Sequence, residues 1–411
     1  MKKLVLIGIL YWFGSTGYLV GQEGWIFSGE VRHRFEFNDR DFNSTTKPSN
    51  YNFLRSRLGL TFTPLKDVTT FFQLQDSRIM GEELSTLTDG SADQLDLHQV
   101  YFKVDNIFSL PADLQVGRMA VSFGPQRFLG AVNWHNVGRS FDGVMLNVHS
   151  ERVNSRFFNL KQVEKIAPGD TGDVNVIGNY TNVKLLDNYI TQAFLIWQKT
   201  VPSSVLNRFT GGFFIHGKLG KVEHTLEGAY QTGKMTPTDA NEAQDVTAFF
   251  GAYNGKYSFG NYSSIKPSIS LGVAYLSGDD NLSDGSYKAF DTMYSTNHKY
   301  YGSMDYFTNI PDHTGRRGLV DSHLKISFIP VARTKVTLAY HDFKSAEKYV
   351  FEDHSSAKDF GNEIDLTLKH QYNNSFFVVA GFSTFSPGEI FKQTKGKDSS
   401  NWFFLMSSVK F

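Results

Sequence analysis

Hydrophobicity in this chain repeats every second residue and almost nowhere at helical spacing. In Trp25–Phe37, Trp25, Phe27, Val31, Phe35 and Phe37 share one face, while Glu30, Arg32, Arg34 and Glu36 share the other. In 51–63, Leu54, Leu58, Leu60 and Phe62 oppose Arg55 and Arg57. In 320–329, Leu324, Ile326 and Phe328 oppose His323, Lys325 and Ser327. In 361–371, Ile364, Leu366 and Leu368 oppose Glu363, Asp365, Thr367 and Lys369. Such half-apolar segments are strands. About eighteen are predicted, near 24–37, 51–63, 67–78, 94–105, 112–122, 140–149, 152–161, 175–186, 188–199, 207–218, 222–233, 245–257, 266–277, 319–329, 333–343, 361–371, 375–385 and 400–411.

The connections alternate in length. Short ones (64–66, 219–221, 330–332, 372–374) separate long ones (38–50, 79–93, 123–139, 234–244, 278–318, 344–360, 386–399). Transmembrane barrels have tight turns at one end and longer loops at the other. A propeller would repeat every 40–50 residues or so, and no such unit is present. A soluble sandwich also alternates, but with its apolar face inward. Strand number decides between them: about eighteen strands of ten to twelve residues span a bilayer when tilted, and closure leaves no unpaired edge in lipid. The expected fold is all-β, an antiparallel up-and-down transmembrane barrel wide enough to hold an aqueous channel.

Both ends of the chain fit export to an outer membrane. Lys2 and Lys3 precede an apolar run from Leu4 to Phe13, then small residues to Gly21. This is the pattern of a cleavable signal peptide over 1–21, leaving 22–411 as a single barrel domain. The run is too short for a membrane helix. The last strand ends on Phe411, with Phe403, Leu405 and Val409 on the same face, like the signal read by the barrel assembly machinery. Trp25, Tyr51, Tyr101, Tyr180, Trp197 and Trp402 are expected in interfacial girdles. The chain has no cysteine, which excludes disulfides, zinc–thiolate sites and a Cys nucleophile. Its 41 basic residues are balanced by 41 acidic ones, unlike a nucleic-acid binder.

Arginine clusters in the first third of the chain: Arg32, Arg34, Arg55, Arg57, Arg78, Arg118, Arg127 and Arg139. A guanidinium facing lipid is costly, so the strand-borne ones should face the lumen. A ring of planar forks there would attract carboxylates. Glu30, Glu36, Asp76, Asp142, Glu363 and Asp365 offer the other reading, a salt-bridged network that stiffens the wall.

Several segments resemble the alginate export family of outer-membrane barrels. They are Leu114–Arg118, Phe123-Gly124-Pro125-Gln126-Arg127-Phe128-Leu129-Gly130, Asn133-Trp134 and Gly138-Arg139-Ser140-Phe141-Asp142-Gly143-Val144. Leu54-Arg55-Ser56-Arg57-Leu58, Gln73–Arg78, Tyr275–Asp280, Phe290, His298, Gly302, Asp305 and Gly361–Leu366 extend the likeness over most of the chain. The resemblance implies an eighteen-stranded barrel passing a polyanion through an Arg-rich pore. The expected pore-lining and solute-binding set is Arg32, Arg34, Arg55, Arg57, Gln75, Arg78, Arg118, Arg127, Arg139, Asp142, Glu363 and Asp365. The expected function is passive passage of solutes, above all anionic uronate-type saccharides, by a monomer in the lipid of a Gram-negative outer membrane. The alternatives are a general porin, a plugged structural or adhesin barrel and an outer-membrane hydrolase.

Other chemistry is sparse. Asp279–Gly285 has closely spaced oxygens but lacks the terminal Glu of an EF-hand, so no metal is assigned, and no cofactor motif is present. His149-Ser150 and His341-Asp342 are adjacent in strands and point to opposite faces, so neither is a hydrolase pair. Loop 278–318 is long enough either to gate the lumen or to lie outside it.

Overall fold

The computed structural model describes residues 24–81, 95–163, 173–200, 205–238, 240, 242–260 and 265–411. The expected signal peptide lies outside the described residues. The wall runs through β1 (Gly24–Asp39), β2 (Ser49–Leu65), β3 (Val68–Ile79), β4 (Leu95–Val104), β5 (Ala112–Met119) and β6 (Phe141–His149). It continues through β7 (Val153–Val163), β8 (Val174–Val183), β9 (Tyr189–Thr200), β10 (Leu206–Leu219), β11 (Val222–Met235), β12 (Gln244–Ser258) and β13 (Ser268–Leu276). A two-residue strand, β14 (Ser286–Tyr287), lies parallel to β12 inside a loop and is not part of the wall. The wall then ends with β15 (Leu319–Val331), β16 (Thr334–Val350), β17 (Ser356–Gln371), β18 (Phe376–Pro387) and β19 (Ser400–Lys410). Each wall strand pairs antiparallel with its neighbours. β1 pairs with β19 from Glu30↔Lys410 to Asp39↔Asn401, so eighteen strands close without an edge.

The two faces of the wall are inverted relative to a water-soluble sandwich. Phe27, Leu58, Phe72, Phe213, Leu271 and Leu366 point outward and are exposed, while Arg32, Arg55, Gln75, Glu227, Asp321 and Glu363 point inward and are buried. In water that arrangement would forfeit the hydrophobic term, whereas in lipid it is the favoured one.

Each wall strand corresponds to a predicted one, but one expected loop does not exist. Residues 344–360, expected as a long connection, carry Lys344, Glu347, Lys348, Glu352 and Asp353. Instead β16 runs on to Val350, and β17 starts at Ser356. The hairpin carries register shifts after Phe343 and Lys344, and a strand beyond the apolar band can be polar on both faces.

The lumen is largely filled. Loop 120–140 and loop 277–318 fold inward, burying Phe123, Leu129, Phe290, Tyr294, Tyr301 and Phe307. A short helix, α1 (Glu389–Thr394), delivers Phe391 to the same interior. There Phe307 packs on Phe343 at 4.6 Å between ring centroids, and Phe42 on Tyr306 at 4.9 Å. Four expected girdle aromatics turn inward, among them Tyr51, which stands across from Glu36 and stacks on Phe53. Trp402 is fully buried and donates to Glu36 Oε2, Tyr180 donates to Gln192 Oε1, and Tyr101 packs on Phe71. Each lies in phase with inward-facing neighbours, such as Phe404 for Trp402 and Gln99 for Tyr101.

Candidate functional site

The arginines of β1 and β2 hold loop 120–140 by its backbone. Arg32 Nη1 donates to the Asn133 carbonyl at 2.6 Å, and Nη2 donates to the His135 carbonyl at 3.1 Å and to Asn136 Oδ1 at 3.3 Å. Arg55 reaches the same two carbonyls at 3.2 Å and pairs with Glu30 at 2.7 Å. Arg34 donates to the Trp134 carbonyl at 2.6 Å and pairs with Glu36. Arg57 takes Gln75 Oε1 at 2.6 Å, Asn133 Oδ1 and the Val137 carbonyl. Four guanidinium groups thus pair with two carboxylates, with Asp305 a third acid near Arg34, and their remaining hydrogen bonds go to neutral oxygens. The cluster keeps a net positive charge while it clamps the loop.

The two loops are joined across the lumen. Gly130 N–H donates to the Tyr294 carbonyl, Tyr294 N–H to Phe128, and Thr296 N–H to Gln126. Trp134 stacks on His298 at 4.2 Å, with the Arg34 guanidinium 4.3 Å from the Trp134 ring. Arg127 sits buried between Glu227 at 3.2 Å and the Tyr300 ring at 3.3 Å. Arg139 donates to the Tyr294 carbonyl. On β17, three strands round the wall from β1, Glu363 Oε1 accepts the Ser303 and Met304 amides. Gly302 makes that approach possible: its φ is +79°, and a Cβ there would come within 2.4 Å of Glu363 Oε2. Asp365 accepts the Ser383 hydroxyl and so sits in the wall beneath this contact. The brace lies in a positive field. Burial, then Arg34 and Arg32, hold the His135 imidazole below its ordinary pKa, and burial, then Arg127, do the same for Lys299. A cavity of about 390 Å³ lies against Tyr101, Lys103, Gln115, Phe123 and Arg156, and one of about 110 Å³ against Lys299, Ser303, Lys325, His341 and Asp365.

Three members of the expected set lie on the other face of the wall. Arg78 stands opposite Leu54, in phase with Phe72 and Leu74, and pairs with Asp76. Arg118 stands opposite Asp142 and bonds it at 3.1 Å, in phase with Leu114 and Val116. Arg78, Arg118 and Asp142 point outward near the long-loop end, where charge meets water and headgroups instead of acyl chains. Arg32, Arg34, Arg55, Arg57, Gln75, Glu363 and Asp365 face inward from strands, and Arg127 and Arg139 reach the lumen from loop 120–140.

A second basic set went unread in the sequence. Lys218, Lys256, Lys335, Lys369 and Lys410 lie in phase with inward-facing residues near the short-turn end of five strands, and Lys325 lies nearer mid-wall. Lys256 is paired with Glu223 at 3.0 Å. Lys335 and Lys369 stand directly opposite each other, an arrangement that costs stability. Their strand phase alone would have placed them. In the Asp279–Gly285 turn, Lys288 bonds Asp280 at 2.6 Å and Asp284 at 3.0 Å, so an ammonium group already neutralises those oxygens. Asp342 pairs with Lys344 on the outer face, while its neighbour His341 is buried inside.

The family model described as alginate export matches residues 25–164 and 206–404, through the braced loops and nearly all of the wall. The chain belongs to the alginate export family. No curated protein matches it. Among solved structures, this family member is similar to OccK3 (OpdO) of Pseudomonas aeruginosa at 13% identity and a TM-score of 0.62, covering 94% of this chain and 95% of that one. OccAB4 of Acinetobacter baumannii matches at 10% identity and 0.62, covering 96% and 100%. OpdK of Pseudomonas aeruginosa, solved with vanillate, matches at 11% identity and 0.59, covering 94% and 100%. At these identities the likeness shows the fold: a porin-like barrel of outer-membrane type.

Proposed function

We propose that the protein is a passive channel in the outer membrane of a Gram-negative envelope. Its solute is a carboxylate-bearing saccharide of the uronate type. The observation that carries this reading is the lysine set at the short-turn mouth, above all Lys335 opposite Lys369. Two like charges on adjacent strands destabilise the wall, and attraction of an anion is what such a pair offers in return. The Arg32, Arg34, Arg55 and Arg57 cluster supplies a second positive station along the lumen wall, alongside loop 120–140. Arg57, partly exposed, is the member best placed to meet a solute directly. The carboxylate class also agrees with the vanillate in OpdK, a relative in fold. Family membership favours a saccharide polyanion over a small aromatic acid. We place the protein in the membrane as a monomer, inserted by the assembly machinery through its Phe411-terminated strand.

The test is single-channel recording in a planar bilayer with a salt gradient. An anion-selective reversal potential, block by uronate oligomers added on one side, and loss of both in the Lys335→Glu/Lys369→Glu double variant are expected. Selectivity unchanged in that variant refutes the reading. The filled lumen favours one rival, a plugged structural barrel. A bilayer that stays silent with verified inserted protein would establish it.

A further inference from the structure

Strands β15 and β16 hold a side-chain cluster that the permeation reading does not use. Asp321 and His323 lie two residues apart on β15, so both face the lumen. His341 on β16 stands directly across from His323. Asp321 Oδ1 lies 2.8 Å from His341 Nδ1, and Asp321 Oδ2 lies 3.2 Å from His323 Nδ1. One donor atom from each residue falls within a common span of 4.8 Å. Asp321 and His341 are each 1% exposed, and His323 is partly open.

We propose that Asp321, His323 and His341 form a divalent transition-metal site in the barrel wall. Two imidazoles and one carboxylate suit Zn²⁺, Co²⁺ or Ni²⁺ better than Ca²⁺ or Mg²⁺, which prefer oxygen alone. Bonds of about 2.0–2.2 Å to one ion put donor atoms roughly 3–3.5 Å apart; the two Asp–His distances are near this, and the widest pair in the 4.8 Å span closes on binding. A metal-bound imidazole commonly gives its other ring nitrogen to an oxygen acceptor, which fixes the tautomer. His323 has that partner, with Nε2 3.3 Å from Asn254 Oδ1. The ring has room only because residue 272 is glycine, where a Cβ would lie 2.4 Å from His323 Nε2.

The local charge suits a dication. His341 stands across from Glu363, and Asp365 follows two residues on along β17. Glu363 Oε2 is buried without a hydrogen-bond partner. Asp321, Glu363 and Asp365 outnumber the cations beside them, Lys325 on β15 and Lys299 across the cavity, whereas Arg127 is matched by Glu227. Three protein ligands leave coordination positions open toward the cavity that His341 lines. Water or a solute carboxylate could take them.

The experiment is Co²⁺ titration of the folded, detergent-solubilised barrel, read by visible absorption, with Zn²⁺ competition and metal content after dialysis. One equivalent of Co²⁺, displaced by Zn²⁺, is expected. Affinity should fall at least about tenfold in His323→Asn and in Asp321→Asn. His323 is the more exposed ligand, so its variant serves if Asp321→Asn fails to fold. In bilayers, Zn²⁺ should alter conductance in the wild type and not in His323→Asn. A wild type that binds no Co²⁺, or binding unchanged in His323→Asn, overturns the site and leaves a hydrogen-bonded His–Asp–His cluster.

Discussion

Arg32→Lys tests whether the arginine cluster acts by charge alone or by holding a loop. Arg32 spans two carbonyls two residues apart, at 2.6 and 3.1 Å. Lysine keeps the charge but is a single point donor, so it can keep one of these contacts and not the fork. A hydrogen bond from a charged donor contributes about 1.5–3 kcal/mol net. Losing one shifts the equilibrium between clamped and released loop by on the order of 10- to 100-fold toward release. Arg55 contacts the same carbonyls and limits the effect. The assay is single-channel recording at high bandwidth. Arg32→Lys should flicker between sublevels, with the reversal potential of the wild type. Arg32→Ala should flicker more and also lose anion preference. If Arg32→Lys is as quiet as the wild type, the carbonyl contacts do not hold the loop, and the cluster's role is charge alone.

Other outcomes follow from the same geometry. Arg118→Ala should leave ion selectivity unchanged, because the Arg118–Asp142 pair is outside the lumen; a shifted reversal potential would contradict that placement. Arg127→Met should destabilise the folded barrel by about 3–5 kcal/mol by leaving Glu227 buried and unpaired, and adding Glu227→Leu should restore much of it, as read by the temperature at which gel mobility changes. Gly302→Ala should lower that temperature too, through a strained positive φ and a clash with Glu363, at a cost of at least about 1 kcal/mol. Leu366→Arg, on the exposed outer face, should cost about 2–4 kcal/mol in lipid if β17 crosses the bilayer as assigned.

The wall was readable because its rule is local. A period of two sorts Leu54 from Arg55 and Ile364 from Glu363 without any knowledge of partners. The same rule placed Arg118 in phase with Leu114 and Val116, and Arg78 in phase with Phe72 and Leu74. Weighing residue type above phase is what put them in the lumen. Strand phase also marks Lys335 and Lys369 as inward. The inward folding of loops 120–140 and 277–318 was not readable as geometry, since Arg32 and the Asn133 carbonyl are 101 residues apart. One trace of it existed. The segment 290–307 carries Phe290, Tyr294, Tyr300, Tyr301, Tyr306 and Phe307, far more aromatic surface than a water-exposed loop has reason to carry. The extended β16–β17 hairpin was hidden for the converse reason: its tip lies beyond the apolar band, where neither face needs to be hydrophobic.

The joined loops also act mechanically. Loop 120–140 is fastened to β1 and β2 through arginine and, nine strands round the barrel, to β11 through the Arg127–Glu227 pair, with loop 277–318 bonded along its backbone. A hollow cylinder of eighteen strands resists flattening poorly, because the sheet can bend about its strands without breaking ladder bonds. A cross-tie between opposite walls removes that soft mode. Lateral squeeze from the surrounding bilayer would then have to stretch the Arg32 and Arg127 anchors before it changed the bore. The width of the bore is set by the tie, not by the lipid around the tube.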